Sequence, residues 1–283
     1  MKKYSVIIPA HNEEKFLEGM LQTLCEQTIP AAKIVLVNDN STDNTEKIMQ
    51  RFATNHKNIT YIHHNSSKEH LPGTKVIDAF LAGYKKLKKP YDVIVKMDAD
   101  LLLPINYFEV LMNVFKNKKI GIAGGFCYEA DAQGIWKLNH PMEQSHVRGA
   151  FKAYSKECYF KIGGLLPAMG WDTVDELLAR YYGFEVKTLE NIHVKHLRPL
   201  GAGYAQKADE LQGAAFYVLR YGKTLTLLAS LKNAFQKRSI HVFFRLMKGY
   251  QKAKRDQQPF LINENQGKFI RTYRWNKILK KSS

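Results

Sequence analysis

The chain opens with a mostly apolar run, YSVIIPA (4–10), and the same kind of run returns at KIVLVND (33–39), NITYIHH (58–64) and YDVIV (91–95). Continuous apolar stretches of this length read as strands covered on both faces. Between them, EKFLEGMLQTLCEQ (14–27), a segment starting near Asp43, Thr74–Leu87 and YFEVLMNVFKN (107–117) space their apolar residues three and four apart. That spacing predicts amphipathic helices. In DNTE, Asp43 is placed to cap its helix while Glu46 reaches back to the cap. Strands alternating with helices predict an α/β fold with a mostly parallel sheet and helices on both faces. From Gly121 to His196 the pattern is less regular, with a helix expected at Thr173–Tyr182. Beyond Gly203 it turns helical again. We therefore divide the chain into a body, 1–203, and a helical extension, 204–283.

In such sheets ligands sit beyond the carboxyl ends of the strands. HNE (11–13), Asp39 and the pair Asp98 and Asp100 all follow predicted strands, so they should share one edge. Two carboxylates separated only by Ala99 repel unless a cation lies between them. A hard divalent ion, Mn2+ or Mg2+, suits such oxygens and keeps positions open for phosphate. A solvated turn with one Asp capping a helix is the simpler account of Asp-x-Asp alone, but the buried strand before it argues for the metal. Asp39, at a strand end, could accept hydrogen bonds from a ribose or a base edge. Asn40 after it tolerates a left-handed backbone.

Further on, WDTVDE (171–176) follows a glycine-rich loop and opens a helix. Acids there stabilise the helix dipole, but three are more than that needs. One of Asp172, Asp175 and Glu176 could serve as a general base for a hydroxyl, with Trp171 as a flat wall for a sugar or similar ring. His196, and with less reason His193, could add an imidazole to a metal site.

Composition then adds an asymmetry. The net charge is +17, and from Phe216 onward 16 Lys or Arg face only two acids, which leaves +3 for the rest. The bases lie on helices with apolar faces, including Phe243, Phe244, Leu246 and Met247. This favours an anionic membrane surface over nucleic acid, for which no binding is expected. A solvated helical face packed on the body remains open. Three cysteines without metal-ligand spacing point to a reducing compartment. No stretch reaches about 18 apolar residues, so a cytoplasmic protein, peripheral at the inner face of the plasma membrane, is expected.

Taken together, YSVIIPAHNEEKFL, VNDNSTDNT, KMDADLLLP and GWDTVDELLAR resemble the inverting glycosyltransferases of family 2, which have the GT-A fold; the match runs from about Tyr4 to Arg198. The resemblance implies a UDP or GDP sugar as donor and an acceptor hydroxyl on a saccharide or lipid-linked molecule, in cell-envelope glycan assembly. It implies a nucleotide-sugar half (about 1–103) and an acceptor half (about 104–203). It also implies donor contacts from Pro9, Ala10, Asn12, Glu13, Asp39, Lys75, Asp98 and Ala99. Asp98, Asp100 and His196 correspond to metal ligands, and Asp172 falls where the family has its catalytic base; a literal pair of adjacent acids favours Asp175 instead. Asn38 stands where many members have a first acid. RTYRW (271–275) is similar to the Gln-x-x-Arg-Trp of processive synthases, but Arg271 replaces Gln and the motif lies about 100 residues past the acids. It is given no role, and one sugar per encounter is expected.

Two rival enzymes lack their signatures. A nucleotidyltransferase would want a glycine-rich basic loop after strand one, and a dinucleotide dehydrogenase a GxGxxG there. A non-catalytic surface-binding protein would explain the basic extension but not the acids at strand ends.

Overall fold

A computed structural model describes residues 2–66, 73–88, 90–139, 145–198 and 205–280. In chain order the elements are β1 (Tyr4–Ala10), α1 (Leu17–Cys25), β2 (Lys33–Asp39), α2 (Thr45–Asn55), β3 (Ile59–His64), α3 (Thr74–Lys85), β4 (Val93–Met97), β5 (Leu101–Leu102) and α4 (Tyr107–Val114). They continue as β6 (Ile120–Ala130), β7 (Trp136–Leu138), β8 (Phe151–Ser155), α5 (Lys156–Lys161), α6 (Trp171–Tyr181) and β9 (Glu185–His196). Four helices follow, α7 (Ala205–Val218), α8 (Gly222–Gln236), α9 (Ile240–Arg255) and α10 (Glu264–Lys280).

The sheet runs β3-β2-β1-β4-β8-β6-β9-β5, with β7 beside β6. The first four strands are parallel, β8 runs antiparallel to β4, and β9 runs parallel to β6. Every residue of β1 and β4 is buried. Alternate side chains of β1 feed opposite faces: Val6 and Ile8 pack toward α1, α2 and α4, and Ile7 toward α3, α5 and α6. Each such buried side chain stabilises the fold by about 1.5–3 kcal/mol. The strand order reverses direction at β1, between β2 and β4, which is where open α/β sheets form a crevice.

Three sequence expectations change. The span 121–196 contains the two long paired strands β6 and β9, which the sequence hid behind glycines in IGIAGGFCYEA and charges in EVKTLENIHVKH. The capping box does not form, because Asn38 and Gln50 draw the Glu46 carboxylate away; Asp43 instead accepts from the Thr45 and Glu14 amides. Finally, α7–α10 share a continuous apolar core with the face of the sheet covered by α3, α5 and α6. The boundary drawn at residue 203 lies outside the described residues. Within the extension α7 and α9 meet at two glycines. A Cβ on Gly213 would lie 1.9 Å from the Leu246 carbonyl oxygen, and one on Gly249 1.9 Å from that of Glu210. Only residues without side chains permit that approach. Among the described residues, no helix is long and apolar enough to cross a membrane.

Candidate active site

The crevice at the carboxyl ends of β1, β2 and β4 is a cleft of about 570 Å3. Pro9, Ala10, Glu13, Asp39, Lys75, Asp98, Ala99 and Asp100 all line it. Asn12 stands at its rim, left-handed at φ 56°, with its amide oxygen accepting from the Thr42 N–H at 2.8 Å. His11 donates from Nδ1 to the Asp39 carbonyl at 2.6 Å, so the loops after β1 and β2 are laced together. Asn40 adopts the left-handed backbone its residue type allows, at φ 55°. Asp39 is 7% exposed, and one of its oxygens accepts the Ser66 N–H at 3.1 Å. Lys75 arrives on the first turn of α3.

The two acids after β4 have different surroundings. Asp98 pairs with the buried Lys96 ammonium, which also donates to the Gly149 carbonyl at 3.0 Å. Asp100 lies 3.3 Å from His196 Nε2 and 3.7 Å from Arg198 Nε. The short strand β5 explains this second contact: Leu101 is the ladder partner of His196 on β9, and β6 pairs with the other side of β9 so that Glu129 is opposite His196. His196 Nδ1 accordingly lies 3.5 Å from Glu129. Cys127, Glu129 and His196 bring their ligand atoms within 4.8 Å of one another, a juxtaposition that sequence spacing could not reveal.

Electrostatics divide the cleft. Burial pushes the Asp98 carboxyl above its usual range despite Lys96, and the neighbouring Asp100 adds to the rise. Burial likewise pushes Glu13 up to about 7, against the pull of Arg198. Burial alone would lift Asp100 as well, but His196 and Arg198 outweigh it and hold that carboxyl low. Burial would lower His196, yet Asp100, Asp98 and Glu129 raise it instead. The raised carboxyls of Asp98 and Glu13 mark a place short of positive charge. The donor set of carboxylate oxygens with one imidazole fits a divalent cation of the Mn2+ or Mg2+ type.

Asp172 does not line this cleft. It opens α6 beyond the β4–β8 edge, where a Cβ on Gly149 would lie 3.1 Å from its own Cβ. Gly149 is tied to Lys96, and Lys96 to Asp98, so two residues stand between Asp172 and the paired acids. Asp175 is a different matter. It is 2% exposed, accepts from Lys152 at 2.8 Å and is bonded by Tyr154. Burial, with Glu176 adjacent, raises its carboxyl, whereas Lys152 and His146 overcome burial at Glu176 and lower that one. The Asp175 carboxylate is thus enclosed by its own partners in this structure. Trp171 is enclosed too. It is 7% exposed, and the Lys96 and Lys152 ammonium groups lie 5.2 and 5.8 Å from its ring centre, so its face is not open to a sugar. His193 is exposed and packs on Tyr128, away from the acids. The sequence reading missed Lys96, Lys152, Glu129 and Arg198. A lysine inside an apolar strand, as in VIVKM, was the one available signal.

A partly parallel sheet with an acid-lined cleft at its strand reversal defines the GT-A glycosyltransferase class. The family described as glycosyl transferase family 2 matches residues 5–171. The chain belongs to that family. It resembles the Escherichia coli K12 glycosyltransferase YibD, 26% identical over 43% of this chain and 33% of that protein. It also resembles the undecaprenyl-phosphate 4-deoxy-4-formamido-L-arabinose transferase of Proteus mirabilis, 30% identical over 37% of this chain and 31% of that one. The aligned stretch thus spans about a third of either relative's length. Among solved structures, the mannosyltransferase PcManGT of Pyrobaculum calidifontis, crystallised with GDP-Man and Mn2+, shares the fold at a TM-score of 0.63 with 15% identity. That superposition covers 91% of this chain and 88% of the other.

Proposed function

We propose that this chain transfers one sugar, with inversion, from a UDP or GDP sugar to an acceptor hydroxyl. The observation that carries the reading is the cleft itself, where Asp39, Lys75, Asp98 and Asp100 converge on one space large enough for a nucleotide. Asp39 takes the ribose or base edge, and Pro9, Ala10, Asn12 and Glu13 form the wall beside it. Lys75 faces the diphosphate, with Asp98 and Ala99 lining the same space. Asp100 and His196, with Asp98, would hold Mn2+ or Mg2+. When bound, that ion neutralises charge on the departing diphosphate. Glu129 keeps the His196 ring oriented.

Asp172 is the general base. It is half-buried at the start of α6, next to the Lys96–Asp98 pair, and takes the proton of the acceptor hydroxyl as that oxygen attacks the face opposite the leaving group. Asp175 and Trp171 serve as internal supports of α6. The body divides into a nucleotide-sugar half, about 1–103, and an acceptor half, about 104–203, with 204–283 as an appended helical unit.

The acceptor belongs to cell-envelope glycan assembly, and an undecaprenyl-phosphate substrate named for one relative supports a lipid-linked molecule. Docking of the extension on an anionic membrane agrees with this. Leu227, Leu231 and Phe235 form an exposed stripe at four-residue spacing on α8, and Leu227 and Met247 share a groove rimmed by Lys223, Lys254 and Arg255. A peripheral cytoplasmic location follows from that reading. The test is a panel of nucleotide sugars screened for turnover with and without Mn2+. Release of UDP or GDP only when the metal is present supports the proposal. Turnover unaffected by chelation, or absent for every donor, refutes it.

A further inference from the structure

His196 offers its two ring nitrogens to two different groups of ligands. Nε2 lies 3.3 Å from Asp100, on the side of the acid-lined cleft, and Nδ1 lies 3.5 Å from Glu129. Cys127 joins Glu129 on that second side, and the β6–β9 ladder explains why the three meet. Cys127 and Glu129 are two apart on β6, so their side chains leave the same face of the sheet, and Glu129 is opposite His196 on β9. Thiol, carboxylate and imidazole thereby bring one ligand atom each within 4.8 Å of one another. Cys127 and His196 are buried, at 1% and 5% exposure, while the Glu129 side chain keeps 21% and leaves a way in.

This donor set differs in kind from that of the cleft. Carboxylate oxygens suit a hard ion, whereas a thiolate selects a softer one. Zn2+ binds sulfur, nitrogen and oxygen at about 2.0–2.3 Å, so a contraction of about an ångström closes the three around it, with a fourth position for water. The outer support is also in place. A zinc-bound histidine donates its other ring N–H to a carboxylate, and Asp100 stands at Nε2 to accept it. Burial pushes the Cys127 thiol up to about 11, although Arg148 pulls the other way, so the thiol keeps its proton until a metal displaces it to solvent. The three cysteines lack ligand spacing along the chain, but here the neighbouring strand supplies the imidazole.

We propose that Cys127, Glu129 and His196 Nδ1 form a second cation site, selective for a thiophilic divalent ion such as Zn2+, and that filling it excludes Mn2+ from the cleft. A neutral imidazole has one nitrogen free to ligate. When that nitrogen is Nε2, the ring serves the side of Asp98 and Asp100, and Glu129 takes the N–H. When it is Nδ1, the ring serves Cys127 and Glu129, and Asp100 takes the N–H. The two sites therefore compete for one ring. The exclusion rests on the reading of Asp98, Asp100 and His196 as Mn2+ ligands; the thiolate site stands apart from it.

The probe is Co2+ added to the full chain stripped of metal, because it takes the place of zinc and its thiolate complexes absorb in the near ultraviolet. One equivalent should raise that charge-transfer band, and Zn2+ should abolish it. Cys127→Ser, which nearly keeps the side-chain volume, should lose the band while Mn2+ affinity, read from the paramagnetic signal of the free ion, stays within about twofold. Asp100→Ala should do the reverse, losing Mn2+ and keeping the band. Zn2+ should displace Mn2+ from the wild type, and about tenfold more should be needed in Cys127→Ser. No band in the wild type, or a band that survives Cys127→Ser and so comes from Cys25 or Cys158, overturns the site. Loss of both signals in either variant would mean one site, not two. Equal displacement of Mn2+ from wild type and Cys127→Ser overturns the exclusion. If Mn2+ binds nowhere, the donor-cleft reading fails, and the cobalt band still judges the thiolate site.

Discussion

Lys96 and Lys152 are direct partners across the β4–β8 ladder, and both are buried, at 2% and 0% exposure. Two ammonium groups at such a distance are tolerable only because each has its own acids: Asp98 for Lys96, and Asp175 with Glu176 for Lys152. The Trp171 ring lies against both cations. This core of paired charges joins the acid-lined cleft to the start of α6. It holds Asp172 in place from below, through the bond from Lys152 to the Asp172 carbonyl.

Removing one member should therefore be costly. Lys152→Met leaves two buried carboxylates without their base, and the expected loss is about 3–5 kcal/mol in denaturant unfolding. The pH dependence follows from the shifts. Burial would lower Lys152, but Asp175, Glu176 and Asp172 raise it, so its contribution is complete below the ordinary lysine value of 10.5 and fades as pH climbs through the raised folded value. Glu176 is lowered, so its contribution is complete above 4.5 and fades as pH falls below that. Asp175 is raised and runs the opposite way, offsetting part of the acid limb. Wild type should show the alkaline limb, and Lys152→Met should lack it.

The two candidate bases separate by what they damage. Asp172→Asn should cut turnover about 10²–10⁴-fold while leaving the melting temperature and nucleotide binding unchanged. Asp175→Asn should lower the melting temperature, because it weakens the Lys152 pair. Full activity in Asp172→Asn would remove that residue from the mechanism.

Asp100→Ala tests the cation. We expect loss of Mn2+-dependent turnover and weaker Mn2+ binding, read by the paramagnetic signal of the free ion. Glu129→Gln should weaken Mn2+ about 10–100-fold without abolishing it, since it acts through the His196 ring.

The α7–α9 crossing offers a purely structural check. Gly213→Ala and Gly249→Ala each drive a methyl into a carbonyl oxygen. Each should destabilise by about 1–3 kcal/mol, as overpacking does, with the helices forced apart. A melting temperature equal to wild type would show that the crossing yields easily.

Phe235 is 86% exposed at the end of the α8 stripe. Phe235→Glu should reduce sedimentation with phosphatidylglycerol vesicles and leave the melting temperature alone. Binding to neutral phosphatidylcholine should be weak throughout, because the rim of lysines then has no counter-charge. Equal binding of both vesicle types would remove the electrostatic part of the docking.

Much of this was legible in the sequence, and the rest was hidden for identifiable reasons. The strands β1 to β4 are continuous apolar runs, so their existence and order could be read directly. Asp39, Asp98 and Asp100 could be singled out because each stands at the end of such a run, and the structure places all three on one cleft. By contrast, β6 and β9 carry glycine and charge where a buried strand usually carries Val or Ile, and their pairing is long-range. Glu129 could be recognised only once β6 was known to lie beside His196. Asp175 and Trp171 looked accessible because a helix start is usually exposed, and only the position of Lys152 showed that their side chains turn inward.

The two-residue strand β5 has one further consequence. By pairing Leu101 with His196 it joins the middle of the chain's body to its last strand. On the proposed reading, cation affinity would report on assembly: a substitution that merely peels the outer ribbon away would lower it without touching a ligand. In a mutant survey, lost metal uptake should be read as chemistry only after the seam is known to have stayed shut.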